Sequence, residues 1–199
     1  AAALGIGEEP YDALLDEYEP DARTAEIVPV FDALRASLTD LLGRLDPAVS
    51  TDFTLGAGPY AEAAQAALSH EVLETIGYDF SCGRLDVSAH PFTESPGRGD
   101  VRVTSRFSST DPLTGLTSTL HEGGHALYEQ GLPAEQTDLP AGQALSLGIH
   151  ESQSRLWENH VGRSLSFCRW LAPRLTRAFP QQLPGLDAAT LQRALTVVR

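Results

Sequence analysis

Apolar residues recur at threes and fours from Ile27 through Val30, Phe31, Leu34, Leu38, Leu41, Leu42 and Leu45, the spacing of one helical face. This predicts a helix with a single buried stripe, capped by Thr24, with Pro29 in or near its first turn. A second helix opens after Gly58-Pro59, runs through an alanine-rich segment to Ile76 and stops at Gly77, which can take the left-handed capping conformation. From Gly83 to Phe107 the period falls to two. Arg84–Val87 and Val101–Phe107 alternate on either side of a Pro- and Gly-rich connection, which predicts a small antiparallel sheet. In the second strand Arg102, Thr104 and Arg106 share one face, and Val101, Val103, Ser105 and Phe107 share the other. Helical signals return at Asp111-Pro112, a capping side chain before a proline at the first helical position, and end at Gly131 with Pro133 just beyond. A last helical region spans about 141–177, with Pro173 as its point of breakage, and another helix follows Asp187. There is no internal repeat and no low-complexity segment.

The predicted class is mainly α with a small antiparallel β-sheet. At 199 residues the chain suits a single domain, 1–199, able to bury about two-thirds of its unfolded surface. Hydrophobic residues at 42% and charged residues at 21% exclude a disordered tail, and no apolar run approaches the length of a membrane span. A net charge of −13 repels phosphate backbones, so nucleic acid is a poor candidate partner, and with no long apolar run a membrane is not an expected one. Cys82 and Cys168 stand alone, outside any Cys-x-x-Cys pair, and read as reduced thiols of a cytoplasmic protein. The opening Ala1-Ala2-Ala3-Leu4-Gly5 lacks an initiating Met and the features of a signal peptide, which is consistent with a processed piece.

The chemistry lies in His121-Glu122-Gly123-Gly124-His125. Two histidines four apart sit one turn from each other on one helix face, so both rings can reach one metal ion. Glu122 points beside that pair, where it can take a proton from an attacking water without binding the metal. Such a pattern arises by chance in roughly one chain of this length in a hundred, so context must raise it. The blander reading is a histidine pair satisfied on an ordinary helix. The two glycines weigh against it: each costs about 1 kcal/mol relative to alanine inside a helix, which implies close approach of substrate or another backbone. A third ligand is also required. The metzincin pattern fails, because Tyr128 and Gly131 stand where it needs Gly and His. The downstream candidates are Glu129, Glu135, Asp138, His150, Glu151, Glu158 and His160, and Gly148–Ser154 is the densest polar cluster among them. Glu151 completes a set of two histidines and one carboxylate; His150 is the rival, either as ligand or as a hydrogen-bonding core histidine.

Four motifs stand in order: His90-Pro91-Phe92, Asp100-x-Arg102-x-Thr104, His121-Glu122-x-x-His125 and His150-Glu151-Ser152-Gln153. With the flanking Tyr11–Pro20 and Leu156-Trp157-Glu158-Asn159, the sequence resembles the M32 family of metallocarboxypeptidases, the carboxypeptidase Taq group, over nearly its whole length. The resemblance implies a gluzincin-like domain, the central portion of an M32 fold, with zinc (cobalt possible) on His121, His125 and Glu151. It implies Glu122 as the catalyst that activates a zinc-bound water, and Arg102 and His90 as substrate-binding residues. The implied substrates are peptides with a free C-terminal carboxylate, which a planar guanidinium recognises well, and the implied assembly is a homodimer. The blander readings are a solvated strand residue for Arg102 and a turn histidine bonded to backbone for His90. Family members are more than twice this length and carry further motifs after the part seen here. The rival to an enzyme is therefore a catalytically incomplete metal-binding module or partner subunit.

Overall fold

The computed structural model describes residues 9–45, 55–97, 99–137 and 139–197, and the chain divides into two compact units. Asp138, one of the ligand candidates, lies outside the described residues.

The first unit comprises Ala1–Ser50 with Leu145–Ile149. It holds α1 (Pro10–Leu15), whose N-terminus is capped by the Glu9 carboxylate, and α2 (Thr24–Arg44). Thr24 does not cap α2; it is the first helical residue, and its N–H donates to the buried Asp12 carboxylate at 2.8 Å. Pro29 stands inside the helix. The stripe expected to be buried is exposed: Val30 is 62% and Leu42 67% accessible, and no residue of α2 is buried. Periodicity predicts a helix that has an apolar face, not which surface covers it.

The second unit comprises Thr51–Ala144 with His150–Arg199. The helix α3 (Glu62–Ile76) ends at Gly77 with φ 102°, as expected. The strands β1 (Gly83–Val87), β2 (Thr93–Gly97) and β3 (Asp100–Ser105) form a sheet in the order β1-β3-β2. The expected purely antiparallel sheet is corrected here: β1 and β3 pair in parallel, and the Pro- and Gly-rich connection supplies β2, antiparallel to β3 with an irregularity between Glu94 and Gly97. Val101 and Val103 bury against Leu73 and Ala126, so the sheet lies against α3 and α4 (Pro112–Gln130). Asp111 caps α4 by accepting from the Leu113 N–H at 2.9 Å, with Pro112 at the first helical position.

The helix α5 (Leu147–Arg155) runs into a π-helical turn, Leu156–Val161. The break in the last helical region falls at Gly162–Ser164, not at Pro173: Ser164 caps α6 (Leu165–Ala178), which passes through Pro173. Asp187 caps α7 (Ala188–Thr196). Leu68, Val72, Leu120, Leu171, Leu175 and Leu191 form the core that holds α3, α4, α6 and α7 together. Truncating one such side chain costs about 2–5 kcal/mol. No helix among the described residues is long and apolar enough to cross a membrane.

Candidate metal centre

The histidine pair leaves α4 on one face, and Glu151 meets it from α5. Glu151 Oε2 lies 3.6 Å from His121 Nε2 and 3.3 Å from His125 Nε2. One donor atom from each residue falls within 4.8 Å of the others. Tetrahedral zinc with bonds of about 2.0–2.1 Å requires ligand atoms about 3.3 Å apart, so two imidazoles and a carboxylate at these separations fit such an ion. Glu135 is exposed, Glu129 bonds His150 and Glu158 bonds His121 at Nδ1, so among the described candidates Glu151 is the carboxylate that approaches Nε2 of both rings.

The approach of α5 explains the glycines. A Cβ on Gly124 would stand 2.6 Å from both the Gln153 carbonyl oxygen and the Ser154 Cα, so only glycine lets the Glu151-bearing backbone come this close to α4. At Gly123 the neighbours are the side chains of Leu73 and Ile76. Of the two sequence expectations, another backbone, not substrate, fills the space beside Gly124.

Each ring is held from behind. His121 Nδ1 lies 2.9 Å from Glu158 Oε2, in the π-helical turn, and that hydrogen bond raises the ring's pKa above its ordinary value even though burial opposes it. Glu158 is held below the usual carboxylate range by the same bond, with help from Arg155 at 3.3 Å and Arg163 at 3.4 Å. His125 Nδ1 lies 2.6 Å from His150 Nδ1, and His150 Nε2 lies 2.8 Å from Glu129 Oε1. Burial, then the neighbouring histidines, push the His125 pKa down to about 4. Burial also opposes ionisation of Glu151, but its bonds from Ser154 and Arg155 outweigh it and hold the carboxyl below its ordinary value.

Glu122 is 8% exposed, and burial raises its pKa above the ordinary carboxylate value. The Thr93 hydroxyl, on β2, sits 2.9 Å from Glu122 Oε2 and 2.8 Å from the Glu122 carbonyl oxygen. Thr93 lies in the Pro- and Gly-rich connection and belongs to none of the four motifs. A cavity of about 860 Å³ is lined by Thr93, Glu94, Glu129 and His150 among others, beside this centre.

The expected substrate residues Arg102 and His90 both make contacts local in the sequence. Arg102 is half-exposed and its guanidinium is gripped by Asp100 through bonds of 2.6, 2.9 and 3.1 Å. His90 is exposed, with its Nδ1 2.7 Å from the Pro91 carbonyl oxygen, the contact of a turn histidine. Arg106 makes no ion pair among the described residues and lines a cavity of about 610 Å³ with Pro91 and Ser118, the latter three residues before His121 on α4. His150, the rival candidate, is a hydrogen-bonding neighbour of His125 and stands outside the group of His121, His125 and Glu151 that could hold a metal ion.

His121 and His125 from one helix and Glu151 from a second form a group that could hold a metal ion, and the buried Glu122 stands beside it. The family described as carboxypeptidase Taq (M32) metallopeptidase matches residues 1–199, and the chain belongs to it. Thermostable carboxypeptidase 1 of Thermus thermophilus is 49% identical over 170 residues, 85% of this chain and 33% of that protein. Carboxypeptidase 1 of Bacillus subtilis is 36% identical over 194 residues, 96% of this chain and 38% of that protein. Among solved structures, the M32 carboxypeptidase of Deinococcus radiodurans R1 superposes with a TM-score of 0.87 at 39% identity, over 99% of this chain and 40% of that one. The chain thus spans a third to two-fifths of the length of these relatives.

Proposed function

We propose that the chain forms the metal centre of a zinc-dependent carboxypeptidase that releases C-terminal amino acids from peptides. The convergence of His121 Nε2, His125 Nε2 and Glu151 Oε2, with Glu122 buried alongside, is the observation that carries this reading. The proposed ligands are His121, His125 and Glu151. Zinc suits two imidazoles and a carboxylate, and cobalt can replace it. When bound, the ion supplies a Lewis acid that polarises the scissile carbonyl and acidifies the attacking water.

The chain's own groups move the proton. The Glu122 carboxylate accepts it from the attacking water and returns it to the leaving amine nitrogen. Burial that raises the glutamate's proton affinity suits a group that must both take and give up a proton near neutral pH. The Thr93 hydroxyl fixes one carboxylate oxygen, leaving the other for the water. For the free chain end, Arg102 is the proposed clamp, and His90 is a second proposed substrate contact. Because Asp100 already occupies the fork of Arg102, Arg106, which makes no ion pair among the described residues, is its competitor for that role. The proposal places the protein in the cytoplasm, where its free thiols stay reduced, and pairs it with a second copy, which light scattering at micromolar concentration would test.

The deciding assay is release of the terminal amino acid from an N-blocked dipeptide, with and without chelator. Release is expected to stop with chelator and return with zinc. Cleavage that ignores the chelator would refute the reading, and zinc binding without cleavage would leave a metal-binding module.

A further inference from the structure

We infer that His150 and Glu129 form a positioning pair that sets the His125 ring for metal binding, acting through hydrogen bonds and not as ligands. The inference rests on the metal-site reading proposed above. His125 and Glu129 lie one turn apart on α4, and His150, from α5, inserts its ring between them: His125 Nδ1 to His150 Nδ1 is 2.6 Å, and His150 Nε2 to Glu129 Oε1 is 2.8 Å. The edge-to-face contact of His150 with Tyr128, 4.9 Å between centroids, holds the bridging ring in place. All three side chains are about four-fifths buried.

Proton positions follow from the contacts. When His125 presents its Nε2 lone pair to a metal, its hydrogen sits on Nδ1 and must be donated. Only a lone pair at His150 Nδ1 can accept it, which places the His150 hydrogen on Nε2. Glu129 accepts that hydrogen and so selects this tautomer. Without the carboxylate, His150 is free to carry its hydrogen on Nδ1; two N–H groups would then face each other at 2.6 Å, and one ring would have to turn away. His121 needs no such bridge, since its Nδ1 reaches Glu158 directly.

The test is the zinc dissociation constant, measured by competition with a chromophoric chelator, for the parent chain and for Glu129→Ala, Glu129→Gln, His150→Phe and the double variant Glu129→Ala/His150→Phe. Glu129→Ala and His150→Phe should each weaken zinc about 10–100-fold, and Glu129→Gln, which keeps an acceptor oxygen without its charge, should fall between parent and Glu129→Ala. Glu135→Gln removes an exposed acid and should leave affinity unchanged, which excludes a simple net-charge effect. Because Glu129 acts only through His150, the double variant should be no weaker than His150→Phe alone. A merely structural role for either residue would not produce that non-additivity. Parent-like affinity in Glu129→Ala, or additive losses in the double variant, overturns the inference while the metal-site reading stands. A parent chain that takes up no zinc overturns both. Glu129→Gln, the gentlest change, keeps the comparison meaningful if His150→Phe does not fold.

Discussion

Gly124→Ala sets two effects of similar size against each other. In an isolated helix the change would be favourable by about 1 kcal/mol, because alanine loses less backbone entropy than glycine. Here the added methyl would stand 2.6 Å from the Gln153 carbonyl oxygen and from the Ser154 Cα, both backbone atoms that no rotamer change can remove. Unstrained contacts lie at about 3.5–4.0 Å, so α5 must retreat by roughly 1 Å. Overpacking of this kind costs about 1–3 kcal/mol, so the net change should be between about zero and 2 kcal/mol of lost stability. The larger consequence is at the proposed metal centre. Glu151 rides on the same turn of α5, and its separations of 3.3 and 3.6 Å from the two Nε2 atoms would widen with the retreat. Zinc affinity should fall by roughly tenfold or more, since ligands held out of place lose much of their binding. Gly43→Ala is the control: a Cβ there meets nothing within 4 Å, and the variant should be as stable as the parent or gain up to about 1 kcal/mol. Thermal unfolding followed by circular dichroism, with a zinc competition titration on the same samples, reads both effects. Should Gly124→Ala gain stability as Gly43→Ala does and bind zinc like the parent, the close-packing account of the glycine is wrong.

Glu122→Gln should keep zinc in elemental analysis and lose turnover; a comparable rate in the variant removes the general-base role. Arg102→Ala and Arg106→Ala should be compared on free-acid and amidated peptides: loss confined to free-acid substrates identifies the clamp, lysine should restore it only in part, and equal cleavage of amidated peptides at internal bonds would mean an endopeptidase. Glu71 joins α3 to α6 through Arg174 at 2.8 Å and Arg177 at 2.7 Å. Burial opposes its charge, but the two guanidiniums outweigh that and lower its pKa, so its contribution is present above the ordinary carboxylate pKa and lost as pH falls through the lower folded value. Since the pair is part-exposed, Glu71→Gln should cost only about 0.5–1 kcal/mol at pH 7, with the difference from the parent shrinking below pH 4; a gap that does not change with pH contradicts the sign.

Much of the site's scaffold was legible because its signals are local. Asp111-Pro112 and Gly131 bracket α4, Gly77 ends α3, and Asp187 opens α7, each through backbone groups satisfied within a few residues. The four-residue spacing of His121 and His125 places both rings on one face whatever the rest of the chain does. Pro173 shows how such signals weigh against packing: Leu171, Ala172 and Leu175 are buried around it, and α6 continues.

What only the tertiary structure decided is everything that depends on pairing across distance. The sequence offers several acids beside the histidine pair; α5 docking on Gly124 brings Glu151 to both rings, while Glu158 bonds His121 from behind and Glu129 bonds His150. The parallel pairing of β1 with β3 and the insertion of β2 put Thr93 against Glu122, and alternation along a strand says nothing about which neighbour it meets or in which direction. The same holds for the stripe on α2: the sequence determined that the helix has an apolar face, but burial is a property of two surfaces, and a periodicity describes only one.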